Sequence, residues 1–255
     1  MNFDILSFQG LACCLAFFLA GVIDSISGGG GLITVPTMLT VGIPTHYITG
    51  TNQCAICVGT FTSAIKYLTS GKVHVKAALA TLPFAIIGAY IGAKLNLILP
   101  EKYLETFMII MIPVIAIFLI TSRDLGEEDE TDKYSRTQLI IRSAAIGLIL
   151  GGYQGFYGPG AGTFFMLAYA AFLKLSLVRA TATTRFVIAV SSITSIATYA
   201  FSGAILWKFV LAATVFNTVG AYLGASLTIK NGSKIIRPLT LAVSALLLVK
   251  LIFFR

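Results

Sequence analysis

Apolar residues run in ten blocks along the chain, with polar residues gathered between them. The blocks cover 5–27, 31–43, 46–69, 73–95, 102–121, 137–157, 161–173, 177–202, 205–229 and 234–254. Eight hold about 20 or more residues, which as α-helix at about 1.5 Å per residue crosses about 30 Å of hydrocarbon. The second and seventh hold only about 13 residues. Glycines stand before each of these short blocks: Gly28-Gly29-Gly30-Gly31 and Gly158-Pro159-Gly160-Ala161-Gly162. One polar stretch, Arg123 to Arg136, contains Glu127-Glu128-Asp129-Glu130 and reads as a solvated linker.

Composition decides what surrounds these blocks. Of 255 residues, 57% are apolar and 11% charged, whereas a soluble domain carries about 25% charged residues. So few polar groups cannot clothe a water-facing surface, and the mean hydropathy of +0.91 agrees. The blocks therefore predict helices whose outer faces meet lipid. A net charge of +8 would suit nucleic acid only if the cations gathered on one face. They stand singly between apolar blocks instead, as loop cations of a membrane protein do. Met1 to Gly10 contains no Lys or Arg, so the first block reads as a retained helix rather than a cleaved signal peptide. Cys54-x-x-Cys57 has redox or metal spacing, but neither a second Cys pair nor a nearby His completes a site. It reads as apolar packing on one helix face.

A shift of 132 residues lays Gly88-Ala89-Tyr90-Ile91-Gly92-Ala93 on Gly220-Ala221-Tyr222-Leu223-Gly224-Ala225. The same shift pairs Thr51 with Thr183, Ser63 with Ser195, Tyr67 with Tyr199 and Gly71 with Gly203. The glycine loops align two residues out of this register. The expectation is an all-α polytopic membrane protein built from two five-segment repeats. Residues 1–121 form the N-terminal repeat, 122–136 the linker and 137–255 the C-terminal repeat, giving about eight full spans and two short segments. Gly-x-x-x-Gly spacing in the shared hexapeptide predicts close helix contact. If every segment crosses, the second half is inverted, and thirteen of the 18 cations fall on the linker side against five opposite. If the short segments re-enter, the halves are parallel and the split is nearly even. The charge bias favours inversion, with the linker cytoplasmic.

Two short, glycine-preceded helices at matching places form the pattern of a transporter site. A helix that starts inside the membrane leaves its first N–H groups without intrahelical partners. Its dipole also places roughly half a positive charge there. Gly28, Gly29, Gly30, Gly31, Gly158, Gly160 and Gly162 are thus candidates for binding an anion, or alternatively for tight helix packing. Thr51, Asn52 and Gln53, with their counterparts Thr183, Thr184 and Arg185, offer hydroxyls, amides and a guanidinium to an oxyanion. Arg185 either forks onto such an anion or snorkels to the interface. Asp24 is placed to carry a coupling proton, to pair with Arg185 or to cap the broken helix. His46 and His74 are too few and too separated to argue for a metal, and no cofactor is expected.

These residues carry a resemblance. The run Ala20-Gly21-Val22-Ile23-Asp24-Ser25-Ile26-Ser27-Gly28-Gly29-Gly30-Gly31-Leu32-Ile33-Thr34-Val35-Pro36, then Gly42-Ile43-Pro44 and Gly50-Thr51-Asn52, resembles the TauE/SafE sulfite exporter family. The resemblance implies a permease for small sulfur-containing anions: sulfite, sulfoacetate or other organosulfonates. The expected partners are that anion, the lipid bilayer, a coupling proton or cation and a second copy in a homodimer. The competing readings are a channel, a membrane-embedded enzyme and a non-transporting partner subunit. The enzyme reading lacks a cluster of nucleophiles, bases or metal ligands at membrane depth.

Overall fold

Each predicted block that falls within the described residues is helical. The computed structural model describes residues 8–100 and 134–240, together with 102, 103, 106, 129 and 242. In chain order the helices are α1 (Phe8–Ser27), α2 (Gly31–Thr40), α3 (Thr45–Thr69) and α4 (Val75–Ile98). After the linker come α5 (Arg136–Phe156), α6 (Ala161–Phe172), α7 (Leu177–Phe201) and α8 (Trp207–Asn231). Residues 233–240 are also helical, and no strand occurs among the described residues. Nearly all of the expected segment at 102–121, most of the linker and most of 234–254 lie outside them.

Five of these helices, α1, α4, α5, α7 and α8, are long and apolar enough to cross a membrane. Helices α2 and α6 have 10 and 12 residues and are too short to do so alone. Helix α3 has the length, at 25 residues, but not the hydropathy. Its polar residues Thr49, Thr51, Asn52, Gln53, Thr60 and Ser63 are buried against protein instead of facing lipid. The outer faces show the opposite chemistry. Leu11, Leu15 and Leu19 on α1, Ile87 and Ile91 on α4, and Leu211, Val215 and Val219 on α8 are exposed. Apolar outside and polar inside is the arrangement a hydrocarbon solvent selects.

The packing order runs α1, α8, α3, α7, α4, α5, with α3 and α7 at the centre. Helices α1 and α8 meet through glycines, as do α4 and α5. A Cβ on Gly88 or Gly92 would strike the carbonyl oxygens of Leu148 and Gly152. One on Gly220 or Gly224 would strike those of Phe18 and Val22. The hexapeptide glycines thus press helix backbones together, which lipid favours because burying larger apolar side chains gains little there.

Helices α3 and α7 run antiparallel. Thr51, near the start of α3, accepts a hydrogen bond from the Leu206 N–H just after the end of α7 (3.0 Å). Thr183, near the start of α7, accepts one from the His74 N–H just after the end of α3 (3.0 Å). Each hydroxyl satisfies a backbone donor ahead of the next helix, α8 or α4, where no intrahelical carbonyl is available. Two tyrosines tie the interruptions to the same centre. Tyr67 donates to the Ser25 carbonyl at 2.8 Å, and Tyr199 to the Gly155 carbonyl at 2.7 Å.

The glycine contacts make a direct prediction. Gly92→Ala is expected to lower stability by about 1–3 kcal/mol, the usual cost of overpacking. Gly152→Ala, whose new methyl would stand 3.8 Å from its nearest neighbour, leaves the unfolding midpoint in detergent unchanged. Equal effects of the two substitutions would contradict this account of the interface.

Candidate functional site

Both broken-helix starts open on one cavity. Helix α1 ends at Gly28, whose φ of +87° closes off the helix in a conformation L side chains resist. Helix α5 ends the same way at Gly158, with φ +90°, and Gly160 follows at +78°. Helices α2 and α6 start three residues after each stop, and the start of each touches the stop region before the other. A Cβ on Gly31 would come within 2.7 Å of the Pro159 Cα, and one on Gly162 within 2.8 Å of the Gly28 Cα. The Thr163 hydroxyl binds the Ser27 carbonyl across this seam at 2.8 Å.

The cavity is lined by Gly28 and Gly31 from one interruption and by Gly158, Gly160 and Gly162 from the other. Asp24 on α1, Asn52 and Gln53 on α3 and Arg185 on α7 complete its polar wall. Centres of water-sized spheres sweep about 30 Å³ inside it, where one water needs about 10–15 Å³. That is room for two or three waters or one small ion.

Arg185 is 2% exposed, so its head does not snorkel. Its Nη1 donates to Asp24 Oδ2 at 2.5 Å. The other Asp24 oxygen, Oδ1, accepts from the Gly30 N–H at 3.1 Å. One carboxylate therefore does two of the three things its position suggested: it pairs with Arg185 and it caps the approach to α2. The Nε of Arg185 is buried with no hydrogen-bond partner. Gln53 donates through Nε2 to the Gln154 carbonyl at 2.8 Å, while its Oε1 is buried and unpartnered. Asn52 accepts from Thr34 at 2.6 Å through Oδ1, which leaves its amide nitrogen as the group it offers to the cavity.

Other expected ligands stand elsewhere. Thr51 and Thr183 are occupied in holding the Leu206 and His74 backbones, so neither hydroxyl reaches the cavity. Thr184 is fully buried without a hydrogen-bond partner and does not line it. Gly29 and Gly30 turn the chain: their carbonyls take the N–H groups of Leu32 and Ile33, each at 3.0 Å. The loop itself thus closes donors that the sequence reading left for a ligand. Gly31 and Gly162 remain as the cavity-lining positions at the two helix starts.

Sequence reasoning missed Gln154, Thr60, Ser192 and Cys57, all on the cavity wall. Cys57, expected from the sequence to pack on one helix face, has its sulfur 3.9 Å from the Ser192 hydroxyl. Gln154 lies 130 residues after Asp24, the separation of Gly28 from Gly158, and Ser192 lies 132 after Thr60. Carrying the internal offsets through the polar residues would have found both. Chemically, the wall presents a guanidinium, amide donors and two positive helix ends to a small volume. Among the described residues, no group of three or more His, Cys, Asp or Glu side chains gathers as a metal site would require.

The profile of the sulfite exporter TauE/SafE family matches residues 13–251. A protein of Sinorhizobium sp. named probable membrane transporter protein ORF9 is 33% identical over 252 residues, covering 99% of this chain and 94% of that one. The probable membrane transporter protein YfcA of Escherichia coli strain K12 is 30% identical, covering 92% of this chain and 86% of its own. A probable membrane transporter protein of Haemophilus influenzae is 28% identical over 236 residues. No solved structure matches the chain.

The ion pair at the cavity yields its own stability test. Removing one partner strands the other charge, at a cost of about 3–5 kcal/mol for a buried pair. Arg185→Gln alone is therefore expected to destabilise the fold strongly, and Asp24→Asn/Arg185→Gln less than Arg185→Gln alone. Unfolding midpoints of the single and double variants measure the coupling. Additive effects would show that the two groups act independently.

Proposed function

The chain belongs to the sulfite exporter TauE/SafE family and is a membrane transporter, and from that premise we propose that it moves small oxyanions by secondary transport. Sulfite and small organosulfonates such as sulfoacetate are the proposed substrates, bound between the two interrupted helices. The observation that carries this reading is the convergence of both helix starts and Arg185 on one small cavity. Each helix end supplies roughly half a positive charge. A guanidinium adds the planar donor fork that oxyanions accept. The small volume suits an anion of sulfite's size, so a larger sulfonate requires the cavity to widen.

The reading extends to mechanism. We infer that the two halves are inverted copies that rock about this site to expose it to each side in turn. The reciprocal bonds of Thr51 with Leu206 and Thr183 with His74 support it, because each is the other shifted by 132 residues. The antiparallel course of α3 and α7 supports inversion in particular. Arg185, sealed on Asp24, belongs to neither set of loops, and without it the cation bias becomes twelve to five. Asp24 is the proposed coupling residue, since it holds both Arg185 and the turn into α2 and would release them on taking up a proton or cation.

Purified protein in liposomes loaded with sulfite is expected to release it saturably, with competition from other small oxyanions. Arg185→Ala should lower that flux at least tenfold relative to total folded protein, roughly the loss of one charged hydrogen bond. Flux of cations or neutral solutes without anions would remove the substrate class. Single-molecule currents beyond transporter turnover would favour a channel.

A further inference from the structure

A second cavity lies apart from the helix stops, at the end of the bundle where α8 begins. Val41 and Ile43, just after α2, and Ile205, Leu206 and Phe209, around the α8 start, give about 230 Å³ an apolar lining. Water does not suit it. Several molecules would fit by volume, but each needs two to four polar partners, and these five side chains offer none. The Leu206 N–H already serves Thr51.

The matching place at the opposite end of the bundle is filled. The positions 132 residues from Val41, Ile43, Ile205 and Phe209 are Leu173, Leu175, Val73 and Ala77. All four are buried in a single core cluster. One end packs these positions on each other, and the other leaves space between them. Carbon lining an empty space forfeits its dispersion contacts, so the space favours an apolar occupant.

Position and charge identify that occupant. Helix α8 is long and apolar enough to cross the membrane and begins at Trp207, which puts the cavity mouth at the level of lipid headgroups. Trp207, Leu211 and Val215 are exposed at i, i+4 and i+8, along one face of α8 that leads from the cavity into the hydrocarbon. Trp207 and Lys208 also line the cavity. Lys208 is exposed, and the first turn of α8 holds no acidic residue to pair with it. An ammonium and an indole N–H at headgroup level, beside an apolar recess, match a phosphate that carries an acyl chain.

We propose that this cavity binds one phospholipid of the leaflet away from the linker, with part of an acyl chain between Val41, Ile43 and Phe209 and its phosphate on Lys208. Leu206 lies on the wall and holds Thr51 through its N–H, so the bound lipid braces α3 against the turn between α7 and α8. The site shares no lining residue with the cavity between the helix stops, and the proposal does not depend on what that cavity carries.

Native mass spectrometry and thermal unfolding of the full chain, stripped of lipid in detergent, test it with phosphatidylglycerol as the probe. One phosphatidylglycerol is expected to stay bound under activation that removes the rest. At about 100 times its dissociation constant it should raise the unfolding midpoint by about 5–10 °C. Dioleoylglycerol, which lacks the phosphate, and glycerol 3-phosphate, which lacks the chains, are each expected to bind about tenfold more weakly or worse. Val41→Trp, which fills the recess from a half-buried position, should abolish the retained lipid and its thermal shift. Lys208→Gln, an exposed change that leaves the fold intact, should weaken binding about tenfold, the loss of one charged hydrogen bond. No retained lipid on the unsubstituted chain would overturn the proposal, whether or not Val41→Trp folds. Retention and thermal shifts equal in the unsubstituted chain and Lys208→Gln would also overturn it, because the lipid would then sit elsewhere on the bundle. Dioleoylglycerol binding as tightly as phosphatidylglycerol would overturn the role of the phosphate.

Discussion

A helix that stops and restarts within a bilayer leaves backbone donors and acceptors where no water can reach them. This chain stops helices at Gly28 and Gly158, and packs the helix start after each stop against the stop region of the other. Much of the surrounding chemistry answers that constraint. Asp24 takes the Gly30 N–H, Tyr67 and Tyr199 take the carbonyls of Ser25 and Gly155, and Thr163 takes that of Ser27. Among the described residues, few buried side-chain atoms are left without a hydrogen-bond partner. Two of them, Arg185 Nε and Gln53 Oε1, belong to side chains on the wall of the cavity between the stops.

The rest of the bundle holds those stops in register. Glycine seams press α1 on α8 and α4 on α5, and the central antiparallel pair α3 and α7 bears most of the buried polar residues. Rigid backbone contact at the flanks and hydrogen bonding at the centre place the two interruptions within contact distance. A lone arginine at that depth is costly, and its pairing with Asp24 from the first helix joins residues 161 positions apart. The pair thereby couples the N-terminal interruption to the C-terminal half.

The helices and the glycine stops were legible because both depend on local physics: length, hydropathy and the backbone freedom of glycine. The role of the hexapeptide glycines was legible for the same reason, since the Gly-x-x-x-Gly spacing alone puts them on one helix face. The threonines were misread. A hydroxyl near a helix start suits an anion, but Thr51 and Thr183 turn toward Leu206 and His74, and only tertiary contact decides between these partners. Asp24 and Arg185 were each legible as costly buried charges, and their pairing was one of three roles the sequence left open, which only the fold could select. Gln154 escaped because an isolated glutamine in a glycine-rich stretch carries no local signal. Only its offset from Asp24 marks it.

The central claim is that one small anion sits between the two interrupted helices. Selenite, the heavier congener of sulfite, tests it most directly when bound to crystals of the protein and located by its anomalous scattering at the selenium edge. The account predicts a single strong peak within hydrogen-bonding distance of Arg185, between Gly31 and Gly162, that disappears on competition with sulfite. A competed peak elsewhere in the bundle, with this cavity empty, would contradict it.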